Sequence, residues 1–475
     1  MSIGISSRRG RQLALFTSAL AIGIFLWFIV DPKVVLDREY FHTSSDKLDV
    51  EHKNSSTHTT PTSTSETTFP GHARVHGFLI FDQLYMRDGV FYIVTSNVSS
   101  FPPRRNILSR PFNLGEGHDM EPTDQDLKFI SPDEVKTVLG ENMFNVSGFS
   151  VIEHDTRQFM THYYHWWGEI VLGFWRIYSG MTLAAGITPT PPDRFILPNV
   201  FDDEWRDPAG LNGPLMRAGF PTTTIENGAY WKDLMALKTT IVFERAMIID
   251  RDAAHRHEWA SRWFKMIGGT MEAIAPNNYW EPIRRTTIKN LLGYLPKLND
   301  RGVVIEPLRA NSQLPIVTYI SRQGGQRRLS NEAHENLVDA LKSLEDERIC
   351  IFNVASMERL TVQEQIEHAA RSTILIGVHG NGLTHQLWMS PSPRSTVMEI
   401  LDVGSYVFDY EMLARNVGHR HYAVWNDTLI TYPKGEYNDG INYGENLHTN
   451  NHTVYGPAIA RVVRERLLES LPLIS

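Results

Sequence analysis

The clearest hydrophobic signal in the body of the chain is the apolar run Thr373 to Val378, rich in β-branched residues and followed at once by His379-Gly380-Asn381-Gly382. Such a run predicts a fully buried strand. The segment after it predicts a tight turn, since glycine accepts positive φ and leaves no bulk in a ligand's way. Leu383 to Met389 has helical character, Pro391 and Pro393 end it, and Thr396 to Leu401 predicts a second strand with Glu399 near its end. A strand, a glycine turn and a helix N-terminus leave backbone N–H groups aimed outward beside the positive end of the helix dipole, which favours a phosphate or another anion. A βα turn without a ligand explains the glycines alone equally well. Their spacing, GxxGxG, is not the dinucleotide fingerprint.

The same alternation extends on both sides. From Pro315 onward the pattern predicts strands at Ile316–Ser321, Ile349–Val354 and His421–Trp425. Helices are predicted at Asn331–Leu344, capped by Ser330 or Asn331, at Tyr410–Asn416 and at Ile459–Leu471. A further helix, Thr361–Ala370, opens with the capping-box pair Thr361 and Glu364. Repeated β-α-β units of this length imply a parallel sheet covered by helices on both faces, with ligands at the carboxyl ends of the strands. Those ends carry Ser321-Arg322, the glycine turn and Glu399. The basic loop Arg322 to Arg328, RQGGQRR, falls on that edge. A lone basic loop is ordinarily solvated surface, but guanidiniums beside an anion-binding turn can grip phosphate bidentately. Glu399 could accept hydrogen bonds from ribose hydroxyls. Phosphate with ribose means a nucleotide, and the absence of a Walker lysine and of GxGxxG argues against ATPase and dehydrogenase sites.

Between Val75 and Asp300 the pattern is less regular, with strands predicted at Phe91–Thr95, Phe195–Leu197 and Ile241–Phe243. The informative stretch is Phe159 to Tyr178, FMTHYYHWWGEIVLGFWRIY. Trp166, Ile170, Phe174 and Ile177 recur at helical spacing and predict one buried face, while His162, His165 and Glu169 share a second. That second face is either packing with satisfied polar groups, the simpler reading, or an acceptor pocket holding a general base. In Asp252 to Trp263, DAAHRHEWASRW, the histidines lack the spacing of a helical metal pair, so a solvated helix start is expected.

Composition narrows the classes. The chain has 475 residues, 42% hydrophobic and 21% charged, enough for two domains and a large core. A formal net charge of −8 argues against binding to nucleic acid backbone. The single cysteine, Cys350, excludes an intrachain disulfide and a thiolate zinc cage, and its apolar setting predicts a buried, inert thiol. At the N-terminus, Leu13 to Val30 is apolar or small throughout and as a helix would span roughly 27 Å, close to a bilayer's hydrocarbon core. Arg8, Arg9 and Arg11 precede it and Asp31 follows, which predicts residues 1–12 in the cytosol and an uncleaved signal anchor over 13–30. Residues 31–73, including SSTHTTPTSTSETT, read as a flexible stem. The N-x-S/T triplets at Asn54, Asn97, Asn145, Asn426 and Asn451 are compatible with glycosylation of a lumenal body.

The blocks TYISRQGGQRRLSNEAHENLVDAL, EQIEHAARSTILIGVHGNGLTHQLWM, VMEIL and FDYEMLARNVGHRHYAVW, in this order and spacing, resemble the catalytic region of glycosyltransferase family 61, over about Thr318 to Trp425. HYYHWW looks like an upstream segment of fungal members. The resemblance implies a GT-B architecture of two Rossmann-like domains, here 74–310 on the acceptor side and 311–475 holding the nucleotide-sugar. It implies an inverting transfer of a sugar, GlcNAc or xylose foremost, from a UDP-sugar to a glycan or glycoprotein in the Golgi or ER. No tightly bound cofactor is expected and no metal is expected to be required, since arginines and helix dipoles can carry the diphosphate charge. Arg322, Arg327, Arg328, His379, Gly380, Asn381, Gly382, Leu383 and Glu399 would serve the donor, and His165 or Glu169 would be the catalytic base. Asn381 departs from the family's usual alanine in GxHGAGL. Two other classes are compatible with the pattern. One is a catalytically inactive, membrane-anchored carbohydrate-binding protein of the same fold, and the other a sulfotransferase taking a 3′-phosphoadenosine ligand.

Overall fold

The computed structural model describes residues 65–71, 74–113, 119–305, 314–445 and 447–469. The expected anchor over 13–30, most of the stem and Asn54 lie outside the described residues. Among the described residues no helix is long and apolar enough to cross a membrane.

The first half builds a seven-stranded sheet from β1 (Phe78–Arg87), β2 (Val90–Val94), β3 (Leu127–Ile130), β4 (Met143–Glu153), β5 (Arg194–Ile196), β6 (Thr224–Glu226) and β7 (Thr240–Ile249), in the order β3-β2-β1-β7-β4-β5-β6. β1 runs antiparallel to both neighbours, and β7, β4, β5 and β6 are mutually parallel. Opposite charges meet where β1 pairs with β7: Arg245 grips Asp82 with two bonds of 2.6 and 3.0 Å. A small hairpin of β8 (Lys297–Leu298) and β9 (Val304–Ile305) leads into the second half.

The second half is the regular alternation that the apolar runs predict. Its strands are β10 (Ile316–Ile320), β11 (Ile351–Ala355), β12 (Ile374–Val378), β13 (Thr396–Ile400), β14 (Arg420–Trp425) and β15 (Thr428–Ile430), ordered β11-β10-β12-β13-β14-β15 and parallel up to β14. Ser330 caps the helix Asn331–Asp346 by accepting from the Ala333 N–H at 3.1 Å, and the Thr361–Glu364 capping box opens Val362–Arg371. The stretch after the glycine turn is a 3₁₀ helix, Asn381–Trp388. Strand order reverses between β10 and β12, and in open α/β sheets that switch point is where a crevice opens beyond the strand ends.

Between the sheets runs the aromatic helix, a π-helical segment Tyr164–Val171 continuing as the α-helix Leu172–Ala184. Trp166, Ile170, Phe174 and Ile177 are fully buried, as their spacing predicts. They belong to one continuous core that joins Phe78, Phe149 and Val151 of the first sheet to Ile320, Leu375 and Val397 of the second. Polar ties reinforce it: Trp280 donates to the Leu387 carbonyl and Trp388 to the Tyr163 hydroxyl, both at 2.8 Å. Gly168 sits where a Cβ would fall 2.9 Å from Leu413, so the helix backbone can approach the second half only without a side chain there. Truncating one of these buried tryptophans to alanine should cost about 3–5 kcal/mol. Cys350 is buried as expected, and burial pushes its thiol up to about 12.

Candidate active site

Three polar elements converge at the switch point. The first is the loop after β10. Arg322 donates to the His379 carbonyl at 2.7 Å, and its guanidinium lies so near Gly380 that a Cβ there would fall 1.6 Å from Nη1. Gly380 also has φ +147, a value few other residues adopt, so glycine is required twice over. Burial, and after it the neighbouring Arg327, pulls the Arg322 pKa below its ordinary value. Among the described residues neither Arg322 nor Arg327 has a carboxylate within ion-pair distance, so two cations face each other across a space suited to an anion.

The second element is the turn itself. His379 follows β12, and its Nδ1 lies 2.6 Å from Glu399 of β13, whose other oxygen lies 2.8 Å from His421 Nε2. Burial alone would raise the Glu399 carboxyl, but these two histidine bonds hold it below the usual carboxylate range. An ionised carboxylate can only accept, so His379 carries its proton on Nδ1. This corrects the expectation that Glu399 binds ribose: it is fully buried and both its oxygens are engaged. Leu383 is also buried, its N–H closing back on the Gly380 carbonyl at 2.9 Å, which leaves the N–H groups of Asn381 and Gly382 without a backbone acceptor among the described residues.

The third element is the start of the aromatic helix. His165 Nδ1 lies 2.6 Å from Glu169 Oε2, which also accepts from Arg251 at 2.7 Å, and Oε1 accepts from the Met266 N–H at 3.3 Å. Burial would raise the Glu169 carboxyl, but Arg251 and then His165 hold it well below its ordinary value. Glu169 is therefore a fixed anion, 1% exposed, and His165 is oriented by it with Nδ1 protonated and Nε2 free to accept. His162 lies at a tilt beside His165, 4.9 Å between centroids, and is drawn down to about 4 by burial and then by His165, which keeps it neutral.

All three elements line one cavity of about 550 Å³. His162, His165 and Glu169 meet Arg322, Arg327, His379, Gly380 and Asn381 there. Asn381 ties the halves directly, its Oδ1 accepting the Tyr164 N–H at 3.2 Å, one of the orphan donors at a helix start. Lys265 and Asp409 tie them again at 2.9 Å, and Lys265 and then His379 hold the Asp409 carboxyl low against its burial. Arg328 is exposed and is not among the lining residues, nor are Gly382, Leu383 and Glu399.

The sequence reading missed Arg251, His255, Phe264 and Lys265 on the first side and Asp409, Tyr410, Tyr443 and His448 on the second, all of which line the cavity. The expected solvated helix start over 252–263 is corrected: helices Arg251–His255 and Glu258–Trp263 carry a buried Arg251 and Trp263, and His255 faces the cavity. The signal was present in the charged and aromatic density of DAAHRHEWASRW. Among the described residues no group of three or more His, Cys, Asp or Glu is placed to hold a metal ion. Asn97, Asn145, Asn426 and Asn451 are all exposed, far from burial that would forbid modification.

The family model described as Glycosyltransferase 61 matches residues 163–398, from the aromatic helix through the glycine turn to β13. The chain belongs to glycosyltransferase family 61. No curated protein matches it. Family 61 membership indicates a glycosyltransferase, and with it a sugar donor and an acceptor. The match begins one residue before the π-helical segment, so the member's first-half histidine element and its second-half turn fall within a single family region.

Proposed function

We propose that this family 61 member is an inverting glycosyltransferase that moves a sugar, GlcNAc or xylose foremost, from a UDP-sugar to a hydroxyl of a glycan or glycoprotein. The observation that carries the reading is that a carboxylate-oriented histidine from one half and, from the other, two arginines with no carboxylate partner among the described residues line one cavity. In the proposed reaction the acceptor oxygen attacks the anomeric carbon as the bond to the diphosphate breaks. The hydroxyl proton passes to His165 Nε2. Glu169, locked as an anion by Arg251, holds the ring and stabilises the imidazolium that forms. Arg322, Arg327 and the Asn381 N–H meet the charge developing on the departing diphosphate, with the His379 carbonyl holding Arg322 in place. Arg328 would act only through its long-range field.

Two Rossmann-like domains over 74–310 and 311–475, arranged as in GT-B enzymes, fit the two parallel-rich sheets. The donor would sit in the second, with no metal required and no tightly bound cofactor. A signal anchor over 13–30 and a stem over 31–73 would hold the body in the Golgi or ER lumen. Incubating the purified body with a panel of UDP-sugars, while titrating UDP by calorimetry, tests the reading. Transfer or slow donor hydrolysis with UDP binding is expected. UDP binding without turnover of any donor would make it a nucleotide-binding relic, and neither would end the proposal.

A further inference from the structure

Phe264 is in the wrong conformation for a phenylalanine. It closes the short helix Glu258–Trp263 with φ 52 and ψ 42, the left-handed region where a side chain is strained and glycine or asparagine is usual. Strain of this kind costs roughly 1–3 kcal/mol and persists where the surroundings impose it, often at ligand sites. The ring gains no burial in return. It is 59% exposed, whereas Trp263 before it and Lys265 after it are buried. The left-handed turn sends Lys265 inward to Asp409 and leaves the Phe264 ring at the cavity shared with His165. His255, itself lining the cavity, backs the ring at 5.3 Å between centroids, and Phe159 and Phe112 add further aromatic wall on the same half.

From these observations we infer that Phe264 is a stacking platform for the acceptor, and that the acceptor presents a pyranose ring there rather than a polypeptide side chain alone. An aromatic face carries negative potential, and the apolar face of a pyranose offers a patch of C–H groups that complements it while its hydroxyls stay at the edge. A ring lodged on Phe264 turns its edge hydroxyls toward the polar wall of the same cavity, where His165 stands. The inference rests on the transferase reading of that cavity and adds the acceptor's chemical class and the residue that selects it.

The test uses Phe264→Gly, which removes the ring and relieves the backbone at once. Binding of methyl glucoside, mannoside, galactoside and xyloside, and of a threonine-containing peptide, is followed by saturation-transfer NMR with UDP present. At least one pyranoside is expected to bind, and to bind at least about tenfold more weakly in the glycine variant, with UDP affinity unchanged and the melting temperature equal or higher. Phe264→Trp should restore pyranoside binding. Unchanged pyranoside affinity in Phe264→Gly, a lower melting temperature with unchanged affinity, or binding of the peptide alone would overturn the assignment. Loss of UDP binding by the unaltered protein would instead sink the transferase reading itself.

Discussion

Two carboxylate-bound histidines, His165 and His379, face the same cavity, and their differences separate two kinds of work. In the first half, Glu169 is neutralised by a permanent cation, Arg251, so its bond to His165 orients the ring without leaving a net charge. In the second half, Glu399 is shared by two histidines and has no arginine or lysine partner among the described residues. The surroundings diverge as well. The His165 side chain is 26% exposed, against 9% for His379, and meets Phe159 edge-on. His379 lies beside Arg322 and Arg327, which have no carboxylate within ion-pair distance among the described residues. A site that must accept a proton from a neutral hydroxyl needs an oriented, accessible nitrogen. A site that must receive a diphosphate needs uncompensated positive potential. The same residue pair is thus assigned opposite duties by what lies next to it.

Breaking the comparison should cost most at His165. In His165→Ala we expect kcat to fall by at least about a hundredfold, the low end of what a general base supplies, with UDP affinity and melting temperature nearly intact. Glu169→Gln should cost less than that, because the histidine remains and only its orientation and charge support are weakened. His379→Ala should behave differently, weakening UDP binding along with turnover. Steady-state kinetics beside UDP calorimetry and thermal melting separate these outcomes. If His379→Ala abolished turnover with UDP binding intact while His165→Ala did not, the two duties would have to be exchanged. Asp402, just beyond β13, offers no alternative base, since it is absent from the cavity lining and lies 3.8 Å from His452.

Next in size is the donor side. Arg322 loses its charge-assisted bonds to a diphosphate when truncated, and such bonds are worth roughly 1.5–3 kcal/mol, or about 10- to 150-fold in UDP affinity. We expect Arg322→Ala to reach that range and to leave the fold intact, since the one side-chain hydrogen bond it makes among the described residues goes to a carbonyl that water can serve. Equal UDP affinity in the variant and the parent would remove the anion site from the proposal. Glu399→Ala, attractive when that carboxylate was expected to touch ribose, is a poor probe, because it would strand His379 and His421 together.

How far these duties could be read from the chain depends on how local their causes are. The His165–Glu169 pair is separated by four residues on one helix, so spacing alone brought it together. β10, β12 and β13 are buried throughout and read as apolar runs, and the glycine turn followed from residue type. Glu399 was misread because its partner His421 reaches it only through the pairing of β13 with β14, in which Val397 lies opposite His421. Lys265 and Asp409 meet only once both halves are folded. The first sheet was legible only in part: the strands read at Phe91–Thr95, Phe195–Leu197 and Ile241–Phe243 fall on β2, β5 and β7, whereas β6 is three residues long, too short to show alternation, and the pairing of β7 with β1 and β4 spans long intervals.

The smallest expected effect lies at the residue that joins the two pairs. Asn381 stands two positions beyond His379, and its side chain accepts from Tyr164, the residue before His165. It therefore sets the distance between the base and the anion site, and it does so where the family usually has alanine. A neutral hydrogen bond contributes about 0.5–1.5 kcal/mol, and a helix-start N–H facing a cavity can recover part of that from water. Asn381→Ala should therefore lower the melting temperature by at most about 2–4 °C and reduce kcat/KM by less than about tenfold. Asn381→Asp separates the tether from the donor field. It keeps an acceptor for the Tyr164 N–H but puts a negative charge beside Arg322 and His379. We expect it to retain the melting temperature while weakening UDP binding more than the alanine variant does. If instead the aspartate bound UDP as tightly as the parent, the turn would not face the diphosphate. In that case the anion site would shrink to the two arginines, and the contrast between the histidines would lose its electrostatic basis.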